Sequence, residues 1–205
     1  MQGHFARINS QLLEPREPPD DRIVTNMLAG YRLVERLVHD DADVFALSGV
    51  GALLEINATV LCGLDTSSRH EYASHIEATE RHFYEEHDGG IGDLLEWYEG
   101  RTSESPWKRA AGVFVRILSQ PQLFLEGNHR SGALIMSYVL LRSGLPPFVL
   151  SPDNAVEYFN PSAVIRKTVK KGPATLFKLP KINARYAQFL KAQSDSRYLL
   201  DAVTT

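Results

Sequence analysis

The stretch Phe124-Leu125-Glu126-Gly127-Asn128-His129-Arg130-Ser131-Gly132, with the apolar run Ala133 to Leu141 directly behind it, constrains this chain most. A short polar turn rich in Gly and Asn runs straight into a helix apolar enough to be central. The first turn of such a helix has unpaired N–H groups and the positive end of the helix dipole, which together suit an anion. Gly127 permits backbone shapes other residues resist, and Asn128 is able to cap the helix or take a left-handed conformation. Arg130 adds a guanidinium fork suited to phosphate, and Ser131 a hydroxyl in the same turn. Glu126 places a carboxylate where a phosphate-bound Mg2+ would find a ligand. Many helices also begin with Gly-Asn and an early Arg and bind nothing, so the pattern alone leaves both readings open.

Length and charge narrow the class. A chain of 205 residues suits one domain with small extensions and a sizeable core. A formal net charge of -3 gives no electrostatic support to nucleic-acid binding. The single cysteine, Cys62, sits in the apolar run Val60-Leu61-Cys62 and reads as packing rather than as a nucleophile or part of a zinc cluster. No apolar span is long enough for a membrane, and the N-terminus lacks a signal-peptide core, so a cytoplasmic protein without membrane partners is expected.

Along the chain, residues 1–21 are polar and broken by Pro15, Pro18 and Pro19, which reads as an extended arm laid against the body or a partner. Asp20 or Asp21 caps a helix to about Val38, with Ile23, Met27, Leu28, Tyr31, Val34, Leu37 and Val38 at helical spacing. After the polar break Asp40–Asp43, Val44 to Leu61 reads as a helix despite Gly49 and Gly51. Glu55 and Asn57 are the polar residues of its apolar second half, and Glu55 serves either an exposed edge or a site. Arg69 to Glu86 reads as one polar helix, whose His70, His75, His82 and His87 read as a solvated face rather than a metal site. A short helix follows over Ile91–Gly100. Ser105-Pro106 then opens a buried helix over Trp107–Ser119. The loop-bearing helix runs from His129 to Ser143 and Gly144 ends it. Leu145–Leu150 is extended, Ala155–Phe159 makes one helical turn, Gly172-Pro173 turns the chain, and Asn183–Gln193 is helical. Arg166, Lys167, Lys170, Lys171, Lys178 and Lys181 form a basic segment that reads as a solvated face or as a surface for an acidic partner or phosphate.

Phe124, Glu126, Gly127, Asn128 and Arg130 match, in register, the motif His-x-Phe-x-(Asp/Glu)-Gly-Asn-Gly-Arg-x-x-Arg, so the loop resembles the Fic motif of the Fic/Doc (Fido) family. Leu54-Glu55-Ile56-Asn57 is similar to the Ile-Glu-Gly-Asn segment of that family's inhibitory helix. The resemblance covers about residues 42–150. It implies a mainly α, Fic-like helical bundle with two central antiparallel helices joined by an anion-binding loop. With the Pro-rich arm at 1–21 and a tail at 194–205 set apart, the Fic-like domain is expected over 22–193. Active members of the family mostly move AMP from ATP to a protein hydroxyl with Mg2+. By that likeness Glu126 would hold the metal and Asn128 and Arg130 the phosphates; Gly127, His129 and Ser131 complete the expected phosphate-binding loop. Glu55, with Asn57, would regulate the site.

Three departures stand beside the matches. The motif's histidine, the family's general base, falls on Gln122, whose amide has no useful proton affinity. The second Gly falls on His129 and the second Arg on Ala133, which removes the usual partner of the inhibitory glutamate. His129, held neutral by a helix start, either fills space or acts as a displaced base. Two functions therefore follow from the sequence. One is a divergent nucleotidyl or phosphoryl transferase acting on a protein target; the other is a catalytically silent module that binds a nucleotide or a protein. Oligomeric state stays open, with a homodimer through the Pro-rich arm conceivable.

Overall fold

The computed structural model describes residues 4–18, 20–172 and 175–199, with the backbone alone for residues 175 and 176. The protein is mainly α, as expected. Its helices are α1 (Phe5–Asn9), α2 (Asp21–His39), α3 (Gly51–Cys62), α4 (Thr66–Glu71), α5 (Ala73–Glu85), α6 (Ile91–Glu99), α7 (Pro106–Leu118), α8 (Asn128–Leu141), α9 (Ala155–Arg166) and α10 (Thr175–Ala192). A 3-10 turn at Ser196–Tyr198 follows. No strand occurs among the described residues, where a parallel bridge between Gln120 and Val169 is the nearest approach to one. No described helix is long and apolar enough to cross a membrane.

α8 lies at the centre, with α7, α2 and α3 packed on it, and α7 in turn carries α6, α9 and α10. The reason is local sequence: every residue of α8 from Ser131 to Leu140 is buried, so the helix has no face to give to water. α7 and α8, joined by residues 119–127, meet closely. A Cβ on Gly132 would lie 3.0 Å from Phe114 and 3.3 Å from Leu118. The helix ends follow the expected capping chemistry: Asp20 accepts from the Ile23 N–H, Ser105 accepts from the Lys108 N–H, and Pro106 follows it. Gly144 ends α8 at φ 68°.

Several boundaries differ from the sequence reading, each for a packing reason. The helix expected from Val44 starts at Gly51. Val44–Val50 instead forms tight turns that bury Val44 and Phe45, with Phe45 stacked on Tyr98 at 3.8 Å between ring centroids. Gly49 fits because a Cβ there would meet the Asp43 carbonyl oxygen at 2.0 Å. The single polar helix expected over Arg69–Glu86 breaks at Tyr72 into α4 and α5. The turn expected at Ala155–Phe159 runs on through Pro161 to Arg166, because Tyr158, Ser162, Ala163 and Ile165 are buried along it. α10 begins eight residues ahead of the expected Asn183 and contains Pro180. Leu145–Leu150 is extended without strand pairing, anchored by buried Phe148.

The arm, expected to be extended throughout, instead holds the short helix α1, which buries Ile8, and it is laid against the body. Leu13 N–H donates to Asn160 Oδ1 at 2.8 Å, Asn160 Nδ2 donates to the Gln11 carbonyl at 3.2 Å, and the Arg16 guanidinium lies 4.0 Å over the Phe159 ring. Glu14 pairs with Arg166 at 2.6 Å and Lys167 at 2.7 Å. The basic segment is therefore no single solvated face: Lys171 pairs with Asp88, and Lys170 is buried with Nζ on the Gly89 carbonyl. Of the segments read above, Met1–Gly3, Pro19, Pro173 and residues 200–205 of the tail lie outside the described residues.

Candidate functional site

The loop ahead of α8 is shaped by one glycine and two asparagines. Gly127 stands at the helix N-cap with φ 74°, the left-handed region, and no side chain caps α8. A Cβ there would lie 3.0 Å from Asn57 Nδ2, so the residue is fixed by both conformation and space. Asn128 is not the cap: it is the first residue of α8 and folds back on the loop. Its Oδ1 accepts from the Phe124 N–H at 3.0 Å, while its Nδ2 donates to the Phe124 carbonyl at 2.6 Å and to Gln122 Oε1 at 3.3 Å. Asn57 braces the loop from α3, donating to the Glu126 carbonyl at 2.9 Å and to Ser131 Oγ at 3.0 Å. Both amides are nearly sealed from solvent, and a buried amide left unpaired is costly, so these bonds hold the loop in one shape. Ser131, named above as a phosphate contact, is fully buried, and its hydroxyl serves Asn57.

The charged members are placed differently from one another. Glu126 is exposed beside the turn. Arg130 donates to the Val60 carbonyl at 2.6 Å, and burial lowers its pKa. Glu55 receives two hydrogen bonds from Arg69 of α4, at 2.6 and 3.0 Å, and Arg69 also donates to the Gly63 carbonyl at 2.9 Å. Sequence reasoning left Glu55 without a cationic partner once Ala133 replaced the family's Arg; Arg69 supplies one from a different helix. Asp65, the N-cap of α4, was the local signal that fixes where Arg69 sits.

Gln122 is tied into the loop: its Nε2 donates to the Leu118 carbonyl at 3.1 Å, and its own carbonyl lies 2.8 Å from His82 Nε2. His82 thus departs from the solvated face expected for the histidine cluster; it pins the loop from α5. Among the described residues no group of three or more His, Cys, Asp and Glu could hold a metal. A single carboxylate still fits Mg2+ when substrate phosphates and water complete the shell, and Glu126 is exposed enough to serve.

His129 lines a cleft of about 520 Å3 between the α8 start, the arm and α2, with Ile8, Leu12, Met27, Tyr31 and Phe159 among its apolar walls. Burial, then the positive charges of Arg16 and Arg166, push its pKa down to about 3. Burial and neighbouring charge, rather than the helix start, disfavour the charged ring, and so weak a base holds a proton poorly. Its Nδ1 is sealed from solvent and has no hydrogen-bond partner. Arg16 on the arm, a second cation of this cleft, carried no sequence signal.

Comparison with known proteins gives a partial likeness. No family model and no solved structure matches the chain. The chain is similar to protein adenylyltransferase fic-1 of Caenorhabditis briggsae and of Caenorhabditis elegans, 31% identical over 72 residues in each. Those residues are 34% of this chain and 14% of each relative, so the chain spans only a small part of the proteins it resembles. The similarity is weak and local, and it points to a Fic/Fido relationship.

Proposed function

We propose that the chain is a Fic-like protein that holds the phosphates of a nucleotide, ATP foremost, at the Glu126–Arg130 loop. In this reading residues 22–193 form the Fic-like domain, with 1–21 as its arm and 194–205 as its tail. The observation that carries it is the uncapped start of α8 behind the left-handed turn at Gly127, held rigid by Asn57 and Asn128. Backbone amides fixed in advance bind an anion without reorganising. Arg130 flanks them, and Glu126 would hold Mg2+, which when bound neutralises phosphate charge.

The geometry favours binding over transfer. Gln122 is locked by Leu118 and Asn128 and has no proton affinity, and His129 is too weak a base to replace the missing histidine. A second reading, transfer of a nucleotidyl group to a protein hydroxyl by an altered mechanism, is supported by the relatives' names. Within it Glu55, held by Arg69, would be the regulatory residue, with Asn57 as its neighbour.

Calorimetric titration with ATP and Mg2+ tests the first reading. Wild type is expected to bind saturably, and Arg130→Ala at least tenfold more weakly; equal binding ends the proposal. Thermal melting of Arg130→Ala separates a lost contact from a lost fold. For the second reading, labelled ATP is incubated with lysate. Transfer lost in Glu126→Ala supports an enzyme, and no transfer even in Glu55→Gly supports the silent module.

A further inference from the structure

A second cleft, of about 480 Å3, opens between the end of α6, one face of α7, the segment Lys170–Gly172 and α10. Lys108, Gly112 and Arg116 recur at four-residue spacing and so share that face of α7. Gly112 is required there: a Cβ would meet Trp97 Cη2 at 2.0 Å, so its absence lets the indole lie against the helix. Arg101 and Arg116 lie over the Trp97 ring, 4.7 and 5.3 Å from its centroid. Lys170 is delivered by the pairing of Gln120 with its neighbours. The Gln120 N–H donates to the Thr168 carbonyl and the Lys170 N–H to the Gln120 carbonyl, both at 2.8 Å.

The lining holds five cations, Arg101, Lys108, Arg116, Lys170 and Lys171, against one carboxylate, Glu104, in a chain whose net charge is -3. Three are matched by the protein: Arg116 by Asp93 at 2.7 Å, Lys171 by Asp88 at 2.6 Å, and Arg101 by Glu104 at 3.9 Å. Lys108 and Lys170 have no carboxylate partner among the described residues. Lys170 is 7% exposed, and its ammonium has one hydrogen bond, 2.8 Å to the Gly89 carbonyl. A buried ammonium is costly unless paired. Burial pushes its pKa down to about 8, more than the charge of nearby Asp93 offsets. Val115, Leu179 and Pro180 give the remaining wall an apolar character. The volume falls within the roughly 300–1,000 Å3 of ordinary small-molecule sites.

We propose that this cleft binds a small phosphate-bearing molecule, its phosphate drawn by Lys108 and Lys170 and its body resting on Val115, Leu179 and Pro180. Lysines bind phosphate as point charges and need no planar fork. The two arginines, already engaged by carboxylates and by the indole, shape the cleft. The proposal does not depend on the α8 loop.

Trp97 makes the test local. The chain has two tryptophans, so in a Trp107→Phe background the emission of Trp97 alone is read. Inorganic phosphate and phenyl phosphate are titrated at constant ionic strength. Both are expected to change the emission saturably, phenyl phosphate with at least threefold tighter half-saturation, and Lys108→Glu is expected to weaken each at least tenfold. Lys108 is exposed, so its exchange leaves the fold intact, which circular dichroism verifies. Arg130→Ala is expected to leave the signal unchanged, which separates this cleft from the α8 loop. Absence of saturation, equal binding by Lys108→Glu, or the same response to sodium sulfate, meaning an adventitious ion only, overturns the proposal. Equal affinity for the two phosphates overturns the apolar contact.

Discussion

The cleft at the start of α8 and the cleft beside Trp97 are of similar size and both gather cations, yet they present positive charge in different ways. Beside α8, Arg130 is engaged by the Val60 carbonyl, Arg16 lies on Phe159, and His129 is neutral, so the attraction left for an anion is carried largely by backbone amides. Beside Trp97, Lys170 likewise donates to a backbone carbonyl, that of Gly89, but among the described residues neither it nor Lys108 is matched by a carboxylate, and Lys108 is exposed. Counting cations therefore ranks neither site; what separates them is whether an exposed, unmatched charge remains, as it does at Lys108. Amide cradles select shape and depend little on salt, whereas free ammoniums act as point charges that salt screens.

The largest expected effect separates the clefts by pH. The folded pKa of His129, about 3, lies below that of an unfolded histidine, so the unfolded chain binds more protons between pH 6.5 and 3. Stability is thus complete above about pH 6.5 and is lost as pH falls toward 3, by roughly 2–5 kcal/mol. Urea unfolding from pH 7 to 4 checks this, and His129→Phe is expected to flatten the dependence. Lys170 shows the same physics in another window. Its folded pKa of about 8 lies below 10.5, so its ammonium opposes folding below pH 8, and stability rises as pH increases from 8 toward 10.5. The gain is roughly 1–3 kcal/mol, absent in Lys170→Met, read by the same unfolding series. Equal pH slopes in wild type and variant would erase the distinction between the two clefts.

Smaller effects sharpen it. Gly127→Ala places a side chain at φ 74° against Asn57 and is expected to cost about 1–2 kcal/mol and to abolish ATP binding. The same change in the Trp107→Phe background is expected to leave the emission response of Trp97 to phosphate intact. Glu55→Ala is expected to cost less than about 1 kcal/mol in melting experiments, because the Glu55–Arg69 pair is partly open to solvent, 43% and 28% exposed. A larger loss would mean that this pair, rather than Asn57, fixes α3 against the loop.

The two clefts also differ in how far they were legible. The α8 loop lies in nine consecutive residues, so Gly, Asn and Arg announce it together, and the caps of α2 and α7 follow from neighbouring residues in the same way. The cleft beside Trp97 draws on four separated segments, and of its basic residues only Lys170 and Lys171 belong to the basic stretch read from the sequence. Only packing reveals that Arg166 and Lys167 turn to Glu14 while Lys170 turns inward to Gly89. Asn128 shows the same limit at short range. Its type suggested a cap, but its side chain bonds the Phe124 backbone, because the left-handed cap position belongs to Gly127.

By itself, the sequence determined the helical class, the capped starts of α2 and α7, and the central place of α8, since these rest on residues a few positions apart and on an apolar run that must be buried. Tertiary structure alone decided that Arg69 answers Glu55, that His82 holds Gln122, that α9 continues through Pro161, and that Lys108 and Lys170 meet no carboxylate among the described residues. Those outcomes depend on charges and surfaces brought together from distant segments, where the energy of burial, not local propensity, chooses the partner.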